Sequence, residues 1–405
     1  MSELYSLPNG WEWKKLGKIA KLQNGFAFKS KLFVNDGLPI VRIKNIKNEK
    51  VLLDDVVYFN VEDYGKKLDS YQIKKNDILI AMSGATTGKI GLYDTEEISY
   101  LNQRVGLFRI ENSNLRSYLF YFLSTQIEKN LELSLGAAQP NLSTEQINNI
   151  ELPLPPLEEQ KRIVAKLDIL FAKIDKAIAL HQKNIDEANV FMASVLNNVF
   201  VELEEKYKYT KLKNAVTKEK TSIKRGPFGS ALKKSFFVEK GYLVYEQYHA
   251  LNNDFSMERY YIDENKFNEL KGFEVKAGDI IISCSGAYLG KLAIIPNDFT
   301  KGIINQALLK LSLNKNIIIN ELFVYFWNNL MNNGFFDEVK KGAAIPNMPA
   351  VKELKEINIP LPELPIQQKV VSYLDEISQK MEKIKQIQKE KMQSLKALKA
   401  SILDQ

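Results

Sequence analysis

The fold of this chain follows from the stretch Tyr71-Gln-Ile-Lys-Lys-Asn-Asp-Ile-Leu-Ile-Ala-Met-Ser-Gly-Ala-Thr-Thr-Gly-Lys-Ile-Gly91. The stretch occurs a second time as Phe273-Glu-Val-Lys-Ala-Gly-Asp-Ile-Ile-Ile-Ser-Cys-Ser-Gly-Ala-Tyr-Leu-Gly-Lys-Leu-Ala293. Further matched blocks keep the same order: Gly136-Ala-Ala-Gln-Pro-Asn141 with Gly342-Ala-Ala-Ile-Pro-Asn347, and Leu152-Pro-Leu-Pro155 with Ile359-Pro-Leu-Pro362. A single ordered repeat of this length indicates an internal two-fold duplication and not a solenoid of many short repeats.

Each copy begins with a globular part and ends with a long helix. Short β-type runs such as Leu38–Ile43, Asp77–Ala81 and Gly106–Ile110 mix with one apolar helix per copy, without regular β-α alternation. This mixture predicts an α+β fold class with two similar globular domains separated by two long helices. The predicted boundaries are 1–155 for the first domain, 156–203 for the central helix, 204–363 for the second domain and 364–405 for the last helix.

The two helices carry apolar residues at the alternating three- and four-residue spacing of a coiled-coil seam. The predicted seam residues are Ile163, Leu167, Leu170, Ile174, Val370, Leu374, Ile377, Met381 and Ile384. Because matched stripes follow matched domains, we expect the two helices to pack on each other. If they form an antiparallel coiled coil, a pseudo-two-fold axis runs across the pair. A helix of ~40 residues is ~60 Å long. Two half-sites one helical turn apart on DNA are separated by roughly 34 Å, so a pair of such helices is long enough to set that spacing.

The composition suggests an anionic partner. The 405-residue chain has a formal net charge of +7 and a pI near 9.0, and nucleic acid is the usual polyanion for such a protein. No apolar run reaches the ~20 residues of a membrane span, and the first residues do not resemble a secretory signal. Because Cys284 is the single cysteine, no internal disulfide can form, and we expect a cytoplasmic protein. We expect no membrane partner.

No catalytic motif is recognisable in the sequence. Gly84-Ala-Thr-Thr-Gly88-Lys89-Ile90 has three residues between its glycines, whereas a nucleotide-binding loop needs four, with Ser or Thr after the lysine. His181, His249 and Cys284 are too few for a zinc cluster. We therefore expect no catalytic residue, no metal ion and no cofactor on this chain.

Candidate DNA contacts were chosen by residue type, since Arg and Lys suit phosphate and guanine, while Asn and Gln suit adenine. The candidates are Lys29, Ser30, Arg42, Lys44, Thr86, Thr87, Lys89, Arg104 and Gln139 in the first domain, and Lys224, Arg225, Ser230, Lys233, Gln247, Tyr248, Tyr288 and Lys291 in the second. In the alignment by sequence, Arg42–Asn48 becomes Tyr245–Leu251, a divergence typical of domains that read different bases. Drift of solvated surface loops is the alternative interpretation.

The arrangement resembles the specificity subunits of type I restriction-modification enzymes over essentially the whole chain. The motifs that carry the resemblance are Leu7-Pro-Asn-Gly-Trp11, Ser83-Gly84-Ala85, Asn102-Gln103 and Leu152-Pro-Leu-Pro-Pro-Leu-Glu-Glu-Gln160-Lys-Arg-Ile-Val164, with a looser second copy of the last from Ile359. The resemblance implies a non-catalytic subunit with two target recognition domains for the halves of a bipartite site in double-stranded DNA, and two helical regions that form an antiparallel coiled coil. It also implies two modification (methyltransferase) subunits that dock on the helices, and restriction subunits that join the complex. S-adenosylmethionine would then be bound by the modification subunits, and ATP and magnesium would serve the restriction subunits.

A second hypothesis stays open from the sequence alone. The coiled coil could serve as an interaction scaffold for protein partners, with globular domains that bind something other than DNA.

Overall fold

The structure is a computed structural model that describes residues 6–64, 68–134, 140–335 and 347–404. The chain divides into two compact units, Met1–His181 with Glu390–Gln405, and Gln182–Lys389. Each unit contains one globular domain and parts of both long helices, so the unit boundaries fall within the helices and not at their ends.

The first domain is a mixed α+β domain. Its strands, numbered β1 to β12, are Glu12–Lys15, Leu22–Asn24, Leu38–Val41, Ile46–Lys47, Glu49–Val51, Val57–Phe59, Gln72–Ile73, Ile78–Ala81, Ile90–Leu92, Ser99–Leu101, Val105–Phe108 and Glu151–Leu154. The helices are Leu16–Ile19, Ser113–Thr125, Ile127–Ser134 and Thr144–Asn148, followed by the first long helix, Leu157–Lys206. The sheets have the strand orders β6-β3-β10-β7, β2-β11-β8-β9-β5-β4 and β1-β12.

The second domain repeats this plan. Its strands, β13 to β22, are Tyr209–Lys211, Ile223–Arg225, Phe237–Val238, Tyr242–Tyr245, Tyr261–Ile262, Ile280–Ser283, Leu292–Ile294, Gly302–Ile304, Leu308–Leu311 and Asn358–Pro360. The helices are Leu212–Ala215, Gln247–Asn252, Glu264–Glu269, Asn320–Asn332 and Val351–Leu354, followed by the second long helix, Leu364–Asp404. The sheet orders are β14-β21-β18-β19, β15-β17-β16-β20 and β13-β22.

The strand register shows that the two domains share one topology. Leu107 of β11 lies opposite Leu79 of β8, and Lys310 of β21 lies opposite Ile281 of β18 in the same antiparallel arrangement. Both domains also have a parallel pair at the equivalent place, β3 with β10 in the first and β16 with β20 in the second. The predicted α+β fold with an internal repeat is therefore confirmed.

The long helices complete the domain cores as well as pairing with each other. Val164 of the first long helix belongs to the core cluster of the first domain. In the second unit Phe200 is 1% exposed and its ring lies 5.6 Å from that of Phe326, centroid to centroid. Leu374 of the second long helix is fully buried in the same cluster. Burial of aromatic and branched side chains from a helix onto its own domain stabilises the junction between them.

Inside each unit the two long helices run antiparallel. In the second unit Asn184 donates to Gln388 over 3.3 Å, and Lys385 donates to Asn189 over 3.1 Å, so one residue number rises while the other falls. In the first unit Lys399 lies 3.2 Å from Asp175. These contacts confirm the pairing predicted from the heptad spacing and the antiparallel direction that the family resemblance implies.

The predicted seam residues differ in burial. Ile174 and Leu374 are buried and Ile384 is 39% exposed, and the other seam residues are half-buried. Val164, Phe171 and Val371, which the sequence did not single out as seam residues, are buried instead. The buried stripe thus follows the contacts with the globular domains as much as the helix–helix seam.

Candidate nucleic-acid interface

A turn with two glycines occurs at the same place in both domains. We call Ser83–Lys89 and Ser285–Lys291 the glycine turns. Gly84 and Gly88 have φ of +77° and +83°, and Gly286 and Gly290 have φ of +75° and +85°, values that side-chain-bearing residues rarely adopt. Each turn contains a 3-10 segment, Gly84–Thr86 or Gly286–Tyr288. The repeat in sequence is therefore a repeat in backbone conformation.

Backbone hydrogen bonds hold each glycine turn on its sheet. Gly88 N–H donates to Ala81 over 2.8 Å and Ala81 N–H donates back to Lys89 over 2.8 Å. In the second domain Gly290 donates to Ser283 over 2.9 Å and Ser283 donates to Lys291 over 2.7 Å. Both turn lysines are exposed at the end of this rigid frame. A fixed turn that offers a lysine and backbone N–H groups suits contact with a DNA phosphate.

A second matched element lies beside each turn. We call Arg42–Asn45 and Glu246–His249 the strand-end segments, because they follow β3 and β16. Arg42 N–H donates to Asn45 Oδ1 over 2.9 Å, and Glu246 N–H donates to His249 Nδ1 over 3.0 Å. The structure thus aligns Arg42 with Glu246, and the sequence alignment of Arg42 with Tyr245 was wrong by one residue, because the strand register and not local identity sets the correspondence.

In each strand-end segment a buried polar side chain at the fourth position fixes the backbone. Asn45 is 1% exposed and donates to the carbonyls of Leu52 and Asp55 over 3.1 and 3.0 Å. His249 is fully buried and its Nε2 lies 2.9 Å from the carbonyl of Met257, which places a proton on Nε2. Both residues therefore tie the segment to the loop that follows it.

Five of the first domain's candidates are exposed, namely Lys29, Ser30, Lys44, Lys89 and Arg104. Lys44 pairs with Asp55 over 2.6 Å, and Arg104 accepts a backbone bond from Met82 beside the turn.

The remaining first-domain candidates are less accessible. Arg42 is half-buried and its Nε is buried without a hydrogen-bond partner. Thr86 is half-buried, and Thr87 is 2% exposed and donates to Gly84 over 2.7 Å, so its hydroxyl supports the turn. Gln139 lies outside the described residues.

Four of the second domain's candidates are engaged by neighbouring residues, among them Tyr248, whose hydroxyl donates to Asp254 over 2.7 Å. Arg225 donates to the side chain of Asn347 and stacks on Phe228 at 5.6 Å. Lys224 lies over Phe273 at 5.0 Å. Gln247 donates to Ser283 Oγ over 2.9 Å and to the carbonyl of Ser285 over 3.0 Å, so it joins the strand-end segment to the glycine turn. Tyr248 and the other candidates, Ser230, Lys233, Tyr288 and Lys291, are exposed.

Sequence reasoning missed a groove in the second domain. A depression of about 360 Å³ is lined by Glu246, Gln247, Tyr248, Met257, Arg259 and Asn305. Arg259 is exposed and stacks on Tyr260 at 4.6 Å. Glu246 and Arg259 carry no motif, and only the fold brings them together.

Asn102 and Asn305 have a structural role in both domains. Asn102 Oδ1 accepts from Arg104 N–H over 3.3 Å, and Asn305 Oδ1 accepts from Ala307 N–H over 3.0 Å. A side chain placed on Gly25 or Gly226 would meet the carbonyl oxygen of these asparagines at 2.1 or 1.8 Å. The Asn-Gln blocks therefore close a tight turn next to the candidate interface.

Metal-binding side chains are not grouped together in the described part of the chain. There, no three side chains of His, Cys, Asp or Glu are placed to hold a metal ion. Burial raises the pKa of the Cys284 thiol to about 11, which keeps it protonated at neutral pH. Among the described helices, none combines the length and apolarity needed to cross a bilayer.

The family is defined by comparison with known proteins. The model of the type I restriction modification DNA specificity domain matches residues 8–190 and again residues 189–391, one match for each repeat. The chain therefore belongs to the family of type I restriction-modification specificity proteins.

Particular relatives agree with this assignment. The MjaVIII specificity subunit of Methanocaldococcus jannaschii is 32% identical over 203 residues, which are 48% of this chain and 47% of that subunit. The EcoBI specificity subunit of Escherichia coli is 24% identical over 410 residues, 92% of this chain and 80% of that one. The match to the first of these relatives thus spans about half of its length.

A solved structure supports the fold. A chain from work on complex assembly and conformational transition of the type I R-M system superposes with a TM-score of 0.69 at 22% identity, covering 99% of this chain and 98% of that chain. At this identity the likeness concerns the fold alone.

Proposed function

We propose that this chain is the non-catalytic subunit that reads a bipartite sequence in double-stranded DNA and directs partner methyltransferase and restriction subunits to it. The observation that carries the proposal is the doubled site: two glycine turns with matching φ angles and exposed lysines, each beside a strand-end segment whose side chains differ between the domains. A common frame with different presented groups is suited to two unlike half-sites.

The paired long helices supply the other half of the proposal. Their antiparallel contacts give each domain an equivalent place on its own unit, and their length sets the spacer between the half-sites. Two modification subunits would dock on the helices, restriction subunits would join them, and the complex would act in the cytoplasm. The chain itself would bind no cofactor; S-adenosylmethionine would belong to the modification subunits, and ATP with magnesium to the restriction subunits.

The experiment is a map of methylated bases. The chain is expressed together with its modification subunit in a host without a related system, and genomic DNA is sequenced by a method that detects modified bases. We expect one motif of two short sequences separated by an unspecified spacer. A host expressing the modification subunit without this chain is the control. A continuous motif, or the same methylation without the chain, would refute the proposal.

A further inference from the structure

The two strand-end segments present side chains of opposite charge from one backbone position. Arg42 and Glu246 are equivalent, because each donates its backbone N–H to the buried side chain three residues later, Asn45 or His249. The frame is retained while the charge at its first position is reversed.

The other two presented positions are held by the protein itself. Lys44 is paired with Asp55, and its equivalent Tyr248 donates to Asp254 over 2.7 Å. Gln247 is bonded to the glycine turn at Ser283 and Ser285. These side chains are anchored by contacts within their own domain.

The first position is not tied to another part of the domain. Among the described residues, Arg42 Nε is buried without a hydrogen-bond partner, and the Glu246 carboxylate accepts from the His249 backbone N–H of its own turn. Glu246 lines the groove of about 360 Å³ that also holds Arg259 and Asn305. A carboxylate beside a polyanion is unfavourable unless it accepts a hydrogen bond from a base.

We propose that Arg42 and Glu246 are the specificity-determining residues of the two half-sites, and that they read bases of opposite hydrogen-bonding character. Arg42 donates to the two acceptors of a guanine in the major groove. Glu246 accepts from an exocyclic amino group, that of cytosine or adenine. Asn45 and His249 are positioning residues that set the direction of the presented side chain. The inference rests on the proposed function, since it concerns the same DNA-reading site.

The test compares methylation motifs of single variants in the expression system described above. For Glu246→Ala we expect discrimination between bases at one position of one half-site to fall by roughly 5- to 100-fold, because this is the discrimination that one specific base contact provides. For Arg42→Ala we expect the same at one position of the other half-site. The base that the wild type requires at the relaxed position shows whether Glu246 reads cytosine or adenine. Glu239→Ala, an exposed acid in the same domain, is the matched control.

The unaltered half-site reports folding within the same experiment. If Glu246→Ala gives no methylation at all, the isosteric Glu246→Gln replaces it, and the same single position should become less selective. Folded variants that keep every base of the wild-type motif, or that loosen both half-sites equally, overturn the inference. A wild-type chain that yields no bipartite motif instead refutes the proposed function, so the two failures are distinguishable.

The positioning role has its own readout. His249→Ala should relax the half-site that Glu246→Ala relaxes, and His249→Asn should restore selectivity, because asparagine already performs this role at position 45. Relaxation of the same position by both variants, with equal loss of thermal stability, would show that His249 serves the fold alone.

Discussion

Removing the lysines of the two glycine turns should weaken DNA binding in a salt-dependent way. Five of the predicted cations are exposed and free of ion pairs within the described chain, namely Lys29, Lys89, Arg104, Lys233 and Lys291. If each neutralises one phosphate, the slope of log affinity against log salt is about −0.9 per contact, or roughly −4.5 in total. Affinity then falls about 500-fold when salt rises from roughly 50 to 200 mM.

The double variant Lys89→Ala/Lys291→Ala removes two of these contacts. The slope should become about −2.7, which corresponds to a loss of about 40-fold over the same salt range. Fluorescence anisotropy of a labelled duplex at four salt concentrations measures both slopes, with the chain bound to its modification subunit. Lys18→Ala/Lys355→Ala, which changes two exposed lysines outside the turns, should retain the wild-type slope.

Two results would refute this reasoning. A double variant with the wild-type slope would show that the turn lysines do not contact phosphates. A flat salt dependence of the wild-type complex would favour the scaffold hypothesis, because a scaffold without DNA contacts releases no counterions.

Three further perturbations test other parts of the structure. Four residues inserted beside both Asn184 and Gln388 lengthen each helix by about 6 Å, so the methylated motif should gain one or two base pairs of spacer at ~3.4 Å each; an unchanged spacer would exclude the ruler. Arg109→Met leaves the carboxylate of Asp77, 3% exposed and bonded to Arg109 over 2.6 Å, buried without its cation, so urea unfolding should show about 3 kcal/mol of destabilisation; a loss below ~0.5 kcal/mol would contradict the buried-pair argument. Because the pKa of Cys284 is raised to about 11, iodoacetamide at neutral pH should alkylate it only after unfolding, as mass spectrometry would reveal; rapid labelling of the native protein would show that the thiol is accessible.

The carboxylate equivalent to that of Asp77 has a different partner in the second domain. Asp279 has Ser312 as its side-chain partner, over 2.6 Å, where the first domain has an arginine. Burial raises the pKa of Asp279, and burial lowers the pKa of the neighbouring Lys310. A raised carboxyl pKa contributes stability that is present below the ordinary value near 3.8 and is lost as pH rises through the folded value. At this site the second domain therefore loses stability as the pH rises from acid toward neutral.

The duplication could be predicted from sequence because it is carried by residues with special backbone needs. Glycines at positive φ and an aspartate that caps its own turn, Asp77 accepting from Lys74 N–H over 2.8 Å and Asp279 from Lys276 N–H over 2.8 Å, leave few substitutes. Their spacing therefore survives in both copies, and the common topology follows from it.

The residues that follow β3 and its counterpart β16 could not be predicted in detail from the sequence. After the strand-end segment the first domain forms the hairpin Ile46–Lys47 with Glu49–Val51, turning at Asn48 and Glu49 with φ of 52° and 61°. The second domain forms the helix Gln247–Asn252 instead, which begins within the strand-end segment. Short segments with no strong periodicity take either form, and the packing of the finished domain decides between them.

The helix seam was predicted in direction but only partly in its residues. Heptad spacing describes contact with one partner helix, whereas Val164 packs into the core of the first globular domain and Phe200 into the core of the second. A second neighbour rotates the buried stripe, so the sequence pattern alone could not select Val371 over Val370. Groove residues such as Arg259 had no sequence signal, because β16 and the loop before β17 meet only in the folded domain.

The end of the second long helix belongs to the first unit, with the first domain and not with the second. Lys399 lies 3.3 Å from Glu49 and stacks on Phe171 at 5.0 Å. The first unit is therefore completed by residues 390–404, which are synthesised only after residues 182–389 of the second unit. The portion that leaves the ribosome first thus gains its last contacts after the second unit has been synthesised, an order that leaves it open to proteases for longer.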